Sequence, residues 1–76
     1  MRLARLPGEV DGRRFLRAMA RFGWTVESQR GSHRKLVHPE RTDFLIVAFH
    51  GSLGRNTVRR ILRQAGIDED QFLKRL

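Results

Sequence analysis

The sequence predicts an α+β domain of two layers, in which two helices cover one face of a three-stranded antiparallel sheet. Three observations predict this fold: apolar residues recur at helical spacing near both ends of the chain, three apolar segments bounded by Gly or Pro lie between them, and a short amphipathic segment follows. Consecutive strands usually pair, and helices bury their apolar stripe against the sheet. The order is therefore α-β-β-β-α plus a short C-terminal helix, within one domain of residues 1–76.

The first helix is predicted over residues 11–22. Its apolar residues fall at i, i+1, i+4 and i+7 on one face, namely Phe15, Leu16, Met19 and Phe22. Gly23 follows as a C-terminal stop. The other side carries a basic stripe, which an ordinary solvated face would also explain: Arg13, Arg14, Arg17 and Arg21.

Residues 24–30 and 33–38 read as two strands joined by a turn at Gly31-Ser32. We expect Trp24 and Val26 of the first strand to face the core. The third strand is predicted over residues 43–49. Its apolar run shows little alternation, which is typical of a central strand covered on both faces.

The chain then enters a Gly-containing loop, residues 50–54, after which Asn56 is predicted to cap the second helix. That helix has an apolar face of Val58, Ile61, Leu62 and Ala65, and Gly66 ends it. A second basic stripe lies opposite: Arg55, Arg59, Arg60 and Arg63. Asp68 and Gln71 have capping-box spacing and begin the third helix, whose apolar residues are Phe72, Leu73 and Leu76.

The net charge of +8 comes from 14 Arg and 2 Lys against 8 acidic residues, and it favours a polyanionic partner such as nucleic acid. GC-rich coding would also raise Arg over Lys, but it would not produce the excess of positive charge. The longest apolar run has six residues, far short of a membrane span, and the first seven residues lack the apolar stretch of a secretory signal. We therefore expect a cytoplasmic protein without a membrane segment.

Few residues offer catalytic chemistry, because the chain has no Cys and no nucleophile elbow, phosphate-binding glycine loop or carboxylate pair at useful spacing. His33 follows Gly31-Ser32 at the start of a strand, although an isolated histidine is often structural. His33 and His38 are five residues apart, so in a strand their side chains lie on opposite faces of the sheet. They could not bind one metal ion together. No metal or cofactor is expected. His50 can approach the start of the second strand only if the second and third strands are neighbours and their ends match; otherwise it is a loop histidine near the second helix.

Several segments together resemble a known family: Leu6-Pro7-Gly8, Arg21-Phe22-Gly23-Trp24, Gln29-Arg30-Gly31-Ser32-His33, His38-Pro39 and residues 57–67 (TVRRILRQAGI). The chain resembles the HicA toxins of toxin-antitoxin systems, small mRNA interferases with a fold like the double-stranded-RNA-binding domain. Two positions depart from the family pattern: Ala48 replaces a proline that is common there, and Asn56 replaces a usual glycine.

The resemblance implies that His33 cleaves mRNA and that a HicB-type antitoxin is the partner. RNA supplies its own nucleophile, the 2′-hydroxyl, so an imidazole acting as general acid or base could suffice without metal. The candidate RNA-binding residues are Ser32, Arg34, Lys35, Arg55, Arg59 and Arg63. Two other classes stay open: a noncatalytic RNA-binding module of the same fold, and a DNA-binding or interaction protein with an acidic partner.

Overall fold

The computed structural model describes residues 5–76. Residues 1–4 lie outside the described residues; they belong to the predicted domain and to the N-terminal segment that was considered as a signal sequence. The elements follow in the order β1 (Glu9–Asp11), α1 (Gly12–Arg21), β2 (Thr25–Arg30), β3 (His33–Val37), β4 (Leu45–Ala48), β5 (Ser52–Gly54), α2 (Arg55–Ala65) and α3 (Glu69–Arg75). The α+β class and the antiparallel sheet of three consecutive strands, β2-β3-β4, are confirmed.

Helix α1 forms where the apolar periodicity places it. The Asp11 carboxylate accepts a hydrogen bond from the Arg14 backbone N–H at 3.1 Å and caps the first turn. The helix buries Phe15, Ala18 and Met19, and the chain leaves it through Gly23, whose φ of 92° suits glycine. The predicted helix and its stop are thus confirmed.

The centre of the sheet differs from the prediction. Strand β3 lies between β2 and β4, so β4 is an edge strand and not the central one. Only Leu45 and Val47 of β4 are buried, while Ile46 is 46% exposed. An unbroken apolar run cannot reveal which face is covered. In a meander the middle strand of the chain becomes the central one, even when it is as polar as His33–Val37.

The first strand also departs from expectation at Val26, which is 44% exposed, whereas Trp24 is buried as predicted. Val26 lies opposite buried Leu36, but on the edge strand β2, and the register shifts between Val26 and Ser28. All six residues of β2 are exposed, and this strand pairs with a neighbour on one side only. The turn at Gly31-Ser32 is confirmed, with Gly31 at φ 59°.

A second, two-stranded sheet was not predicted. β1 pairs antiparallel with β5 inside the segment interpreted as a loop, with Val10 opposite Leu53. Strands of three residues are too short to show a periodicity. The pairing holds the starts of the two long helices together, because the Gly12 N–H donates to the Gly51 carbonyl at 2.8 Å and the Arg55 N–H donates to the Gly8 carbonyl at 3.0 Å.

Helix α2 begins one residue before the predicted cap. Gly54 is the N-cap and makes no side-chain hydrogen bond, so the assignment of Asn56 as cap is wrong: β5 runs directly into the helix. Gly66 ends α2 in the left-handed conformation, as predicted. Asp68 caps α3 by accepting from the Gln71 N–H at 3.2 Å, also as predicted.

One hydrophobic cluster joins the helices to the inner face of the sheet, and among the described residues no polar or charged residue is fully buried. Phe72 anchors α3 to α1 through a tilted contact with Phe15, with ring centroids 5.6 Å apart. Over residues 5–76, none of the helices has both the length and the apolar character needed to cross a bilayer.

Candidate active site

His33 opens β3 directly after the hairpin turn and is exposed. It lies opposite Arg30 on one side and opposite Ala48 on the other. A Cβ placed at Gly31 would meet nothing within 4 Å, so the space beside the turn is open. An exposed imidazole next to open space is accessible to a large substrate.

His33 belongs to the face of the sheet that the helices do not cover. We call this uncovered side the open face. Its side chains include Arg30 of β2, which lies opposite His33, and the following residues of β3, of β4 and just before β4: His33, Lys35, Phe44, Ile46 and Ala48. Lys35 lies opposite Ile46, and its ammonium is 4.6 Å from the centroid of the Phe44 ring. The opposite face carries Leu36, Leu45 and Val47, all buried in the core.

Arg34 lies on the helix-covered side of the sheet, opposite buried Val47. Its Nη1 donates to the Ser32 carbonyl at 2.7 Å and has a longer contact of 3.3 Å with the Phe49 carbonyl. The guanidinium carbon lies 3.7 Å from the centroid of the Phe49 ring. Arg34 therefore fastens the hairpin turn to the end of β4, and so fixes the backbone from which His33 projects.

A cavity of about 450 Å³ adjoins Arg34 between the start of α1 and the hairpin. Its walls combine two guanidinium groups with one carboxylate and one amide, and its lining residues are Asp11, Arg13, Leu16, Gln29, Arg34, Phe49 and Gly51. Gln29 is tied to the turn, since its Nε2 donates to the Gly31 carbonyl at 3.0 Å. The cavity is a polar recess beside the turn, while His33 lies on the other face.

The basic stripe of α2 splits into engaged and free residues. Arg55 Nε donates to the Leu6 carbonyl at 2.8 Å, and Arg59 Nε pairs with the Glu69 carboxylate at 3.2 Å. Arg63 is exposed on the side of α2 away from its buried residues. Because α2 packs on the inner face of the sheet, Arg63 and His33 lie on opposite sides of the two layers.

The stripe of α1 is also partly engaged. Arg14 Nη2 donates to the Leu76 carbonyl at 3.2 Å, and Arg21 Nη1 donates to the Arg75 carbonyl. Both guanidinium groups thus bind the C-terminal end of α3, where the helix dipole favours positive charge. Some of the arginines that produce the net positive charge therefore stabilise the fold.

The other two histidines differ from His33. His38 is held in place: its Nε2 is 2.9 Å from the Phe22 carbonyl, its Nδ1 accepts from the Glu40 N–H at 3.0 Å, and its ring meets Trp24 edge-on. His50 is exposed and follows β4. Strands β3 and β4 are neighbours, and the start of β3 meets the end of β4 at the pair His33 and Ala48, so both conditions for His50 to approach β3 are met. No three His, Cys, Asp or Glu side chains within residues 5–76 are grouped as metal ligands.

Sequence reasoning missed the role of Arg34 and the exposure of Phe44. The first had a readable signal, because strand alternation places Arg34 on the face of Leu36 and not on that of His33. The sequence contained no signal for the exposure of Phe44, because an apolar residue at the start of an apolar strand is usually assigned to the hydrophobic core.

A family model described as the HicA toxin of bacterial toxin-antitoxin matches residues 12–67. The match covers about three quarters of the chain and extends from the first residue of α1 past the end of α2. It includes the hairpin turn, His33 and the open face. A comparison with curated proteins gave no match.

Proposed function

This chain belongs to the HicA toxin family of bacterial toxin-antitoxin systems, and we propose that the toxin is an endoribonuclease that cleaves mRNA with His33. The observation that carries the proposal is the placement of His33, the exposed histidine that begins the central strand beside an open turn. His38, by contrast, has both ring nitrogens engaged with the backbone. Action on mRNA implies work in the cytoplasm.

In the proposed reaction the RNA supplies the nucleophile. The 2′-oxygen attacks the adjacent phosphorus, the bond from phosphorus to the 5′-oxygen breaks, and the products are a 2′,3′-cyclic phosphate and a free 5′-hydroxyl. One proton leaves the 2′-hydroxyl and one reaches the 5′-oxygen. His33 serves one of these transfers, because imidazole exchanges protons near neutral pH. The chemistry requires no metal, since both nucleophile and leaving group belong to the substrate.

The RNA-binding residues divide into two groups in this proposal. Ser32 and Lys35 flank His33 and contact the phosphates of the strand being cut, with Lys35 on the same face as the imidazole. Arg34 acts through the turn, whose backbone it holds. The arginines of α2 contact RNA only where the RNA extends around the domain; these are Arg55, Arg59 and Arg63. The Arg63 side chain is the most available for a phosphate, because the other two bind groups of the protein.

Membership in a toxin-antitoxin family implies an antitoxin. We propose that it is of the HicB type and that it covers His33 and Lys35, so that inhibition is steric exclusion of RNA. The net charge of +8 supports this partner, because an acidic antitoxin surface would associate faster with so basic a domain.

The test is cleavage of labelled single-stranded RNA by the purified protein with and without EDTA. We expect wild-type protein to cut in both conditions and His33→Ala to lose cleavage by roughly 10²-fold or more. His50→Ala is the matched control, since it removes another exposed histidine. Circular dichroism should show the same fold for all three proteins.

Other outcomes would contradict this mechanism or favour a different function. Cleavage by His33→Ala at the wild-type rate, or a wild-type reaction stopped by EDTA, contradicts the mechanism. RNA binding without cleavage by the wild type favours the noncatalytic RNA-binding module, for which the outward-facing Arg60 and Arg63 of α2 offer phosphate contacts.

A further inference from the structure

Two large apolar side chains project from the open face, where neither helix covers them. Phe44 is 51% exposed and Ile46 is 46% exposed. Both belong to the same apolar run as Leu45 and Val47, whose side chains are buried in the core. Phe44 is the aromatic one of the two, and an exposed aromatic ring on a strongly basic domain offers a surface on which a nucleic-acid base can stack.

The charged groups around Phe44 are suited to a nucleotide. The Lys35 ammonium lies 4.6 Å from the ring centroid. Lys35 also pairs with Glu27 at 3.2 Å, but both side chains are more than a third exposed, and an ion pair in water is weak. Lys35 lies over one face of the Phe44 ring and can exchange Glu27 for a phosphate there, so a base would stack on the exposed remainder of the ring.

Phe44 shares its face with His33. Ala48 pairs with His33, and Phe44, the residue just before β4, lies four positions from Ala48 in the chain. At roughly 3.3 Å per residue this is a separation of about 13 Å along the strand. A single RNA strand whose phosphate is at His33 would reach Phe44 with a base further along.

We propose that Phe44 is a stacking platform for a base of single-stranded RNA, with Lys35 bound to the adjoining phosphate. This inference rests on the proposed function, because the nuclease assignment is what places RNA on the open face. Aromatic side chains on a basic sheet surface bind single strands by this combination of stacking and phosphate contacts. The platform would position the strand without taking part in the proton transfers.

The surroundings of Phe44 favour RNA as the direct ligand of this ring, and an antitoxin that covers His33 and Lys35 would compete with RNA for the same face. Arg30, His33 and Lys35 follow one another across two paired strands, while Glu27 is the acidic residue that faces Lys35. A protein interface of ordinary size is centred on a larger apolar patch with charged residues at the rim. Here the large exposed apolar side chains among the described residues of this face are limited to Phe44 and Ile46, and the cations Lys35 and Arg30 lie on the same face, which suits a base with its phosphates.

The experiment measures binding separately from cleavage. A fluorescent single-stranded oligonucleotide with 2′-O-methyl groups at every position cannot be cut, because its 2′-oxygens are blocked. Its affinity is measured by anisotropy for wild type, Phe44→Ala, Phe44→Leu, Phe44→Trp and the control Ile46→Ala. Ile46 is a matched control since it lies on the same face with nearly the same exposure.

Stacking predicts a specific ranking. We expect Phe44→Ala to weaken binding by about 5- to 160-fold, which is the range for loss of one stacked base. Phe44→Leu should be nearly as weak, because it keeps apolar area but has no ring. Phe44→Trp should bind at least as well as wild type, and emission from its new indole should be quenched by the oligonucleotide. Ile46→Ala should stay within about twofold.

The proposal is overturned if Phe44→Leu binds like wild type, if Phe44→Ala changes affinity by less than twofold, or if wild type does not bind the oligonucleotide. It is also overturned if Phe44→Ala keeps RNA affinity but weakens a complex with the antitoxin. Failure of the nuclease assignment looks different: binding would depend on Phe44, yet cleavable RNA would stay intact. Melting temperatures near that of wild type show that the variants are folded.

Discussion

His33 and Arg34 are neighbours in the chain, but they lie on opposite faces of the sheet. His33 faces outward opposite exposed Ala48, while Arg34 lies opposite buried Val47 and bonds to the carbonyls of the hairpin turn. The two residues therefore divide the work at this end of the sheet. His33 is exposed, as its proposed role requires, and Arg34 holds the backbone from which it projects.

Replacement of Arg34 should reduce stability, whereas replacement of His33 should not. Arg34→Ala removes a 2.7 Å hydrogen bond to Ser32 and the stacking on Phe49, so we expect a loss of about 1 to 3 kcal/mol in the free energy of unfolding. Arg34→Lys should recover less than half of it, because an ammonium lacks the planar fork. Urea denaturation measures the free energy of unfolding of each variant. Equal stability of Arg34→Ala and His33→Ala would disprove the division of roles.

The α2 stripe allows a test of phosphate contacts without loss of stability. For roughly three to five neutralised phosphates, log K for a single strand should fall with log salt at a slope of about −2 to −3.5. Arg63→Ala should reduce the steepness by about 0.7 while the melting temperature stays constant, since Arg63 is exposed. Arg55→Ala should lower the melting temperature, because its bond to the Leu6 carbonyl is lost. An unchanged slope for Arg63→Ala would place α2 outside the RNA path.

Asp43 should make a pH-dependent contribution to stability. Its hydrogen bond with Arg41 lowers the pKa of the carboxyl below its ordinary value. A carboxyl with a lower pKa in the folded state stabilises the protein above its unfolded pKa, and the contribution is lost as the pH falls through the folded pKa. The unfolded pKa is about 3.9, so the loss should occur below about pH 4.

The measurement compares melting temperatures of wild type and Asp43→Asn at neutral pH and near pH 2.5. We expect the variant to melt lower at neutral pH and the difference to shrink in acid. Glu9→Gln, at another exposed carboxylate, is the control. A difference that is constant with pH would show that the Arg41 pair does not contribute through ionisation.

Occlusion by the antitoxin predicts protection of His33 from modification. Co-expression with the neighbouring reading frame should yield a complex that buries on the order of 1,200 to 2,000 Å² in total. In this complex diethyl pyrocarbonate should modify His33 more slowly than in the free toxin, and RNA cleavage should stop. A complex in which His33 stays reactive and cleavage continues would mean that the antitoxin binds elsewhere.

The local features of the fold could be predicted from the sequence. Apolar spacing placed α1 and α2, Asp11 and Asp68 lie at helix starts, and Gly23, Gly31 and Gly66 lie where φ is positive. These features depend on residues within a few positions of one another, so a short window contains their physical cause. The Gly-Ser-His segment likewise placed His33 at the start of a strand.

Only the tertiary structure decided which strand is central, which face stays open and which arginines are free. Phe44 and Ile46 are exposed because the helices cover only one face of the sheet, although the apolar run alone favoured burial on both faces. Arg55 is engaged by a carbonyl 49 residues away, and Arg34 by one 15 residues away. Such contacts join segments that are distant in the chain, and the periodicity of one segment contains no information about its partner.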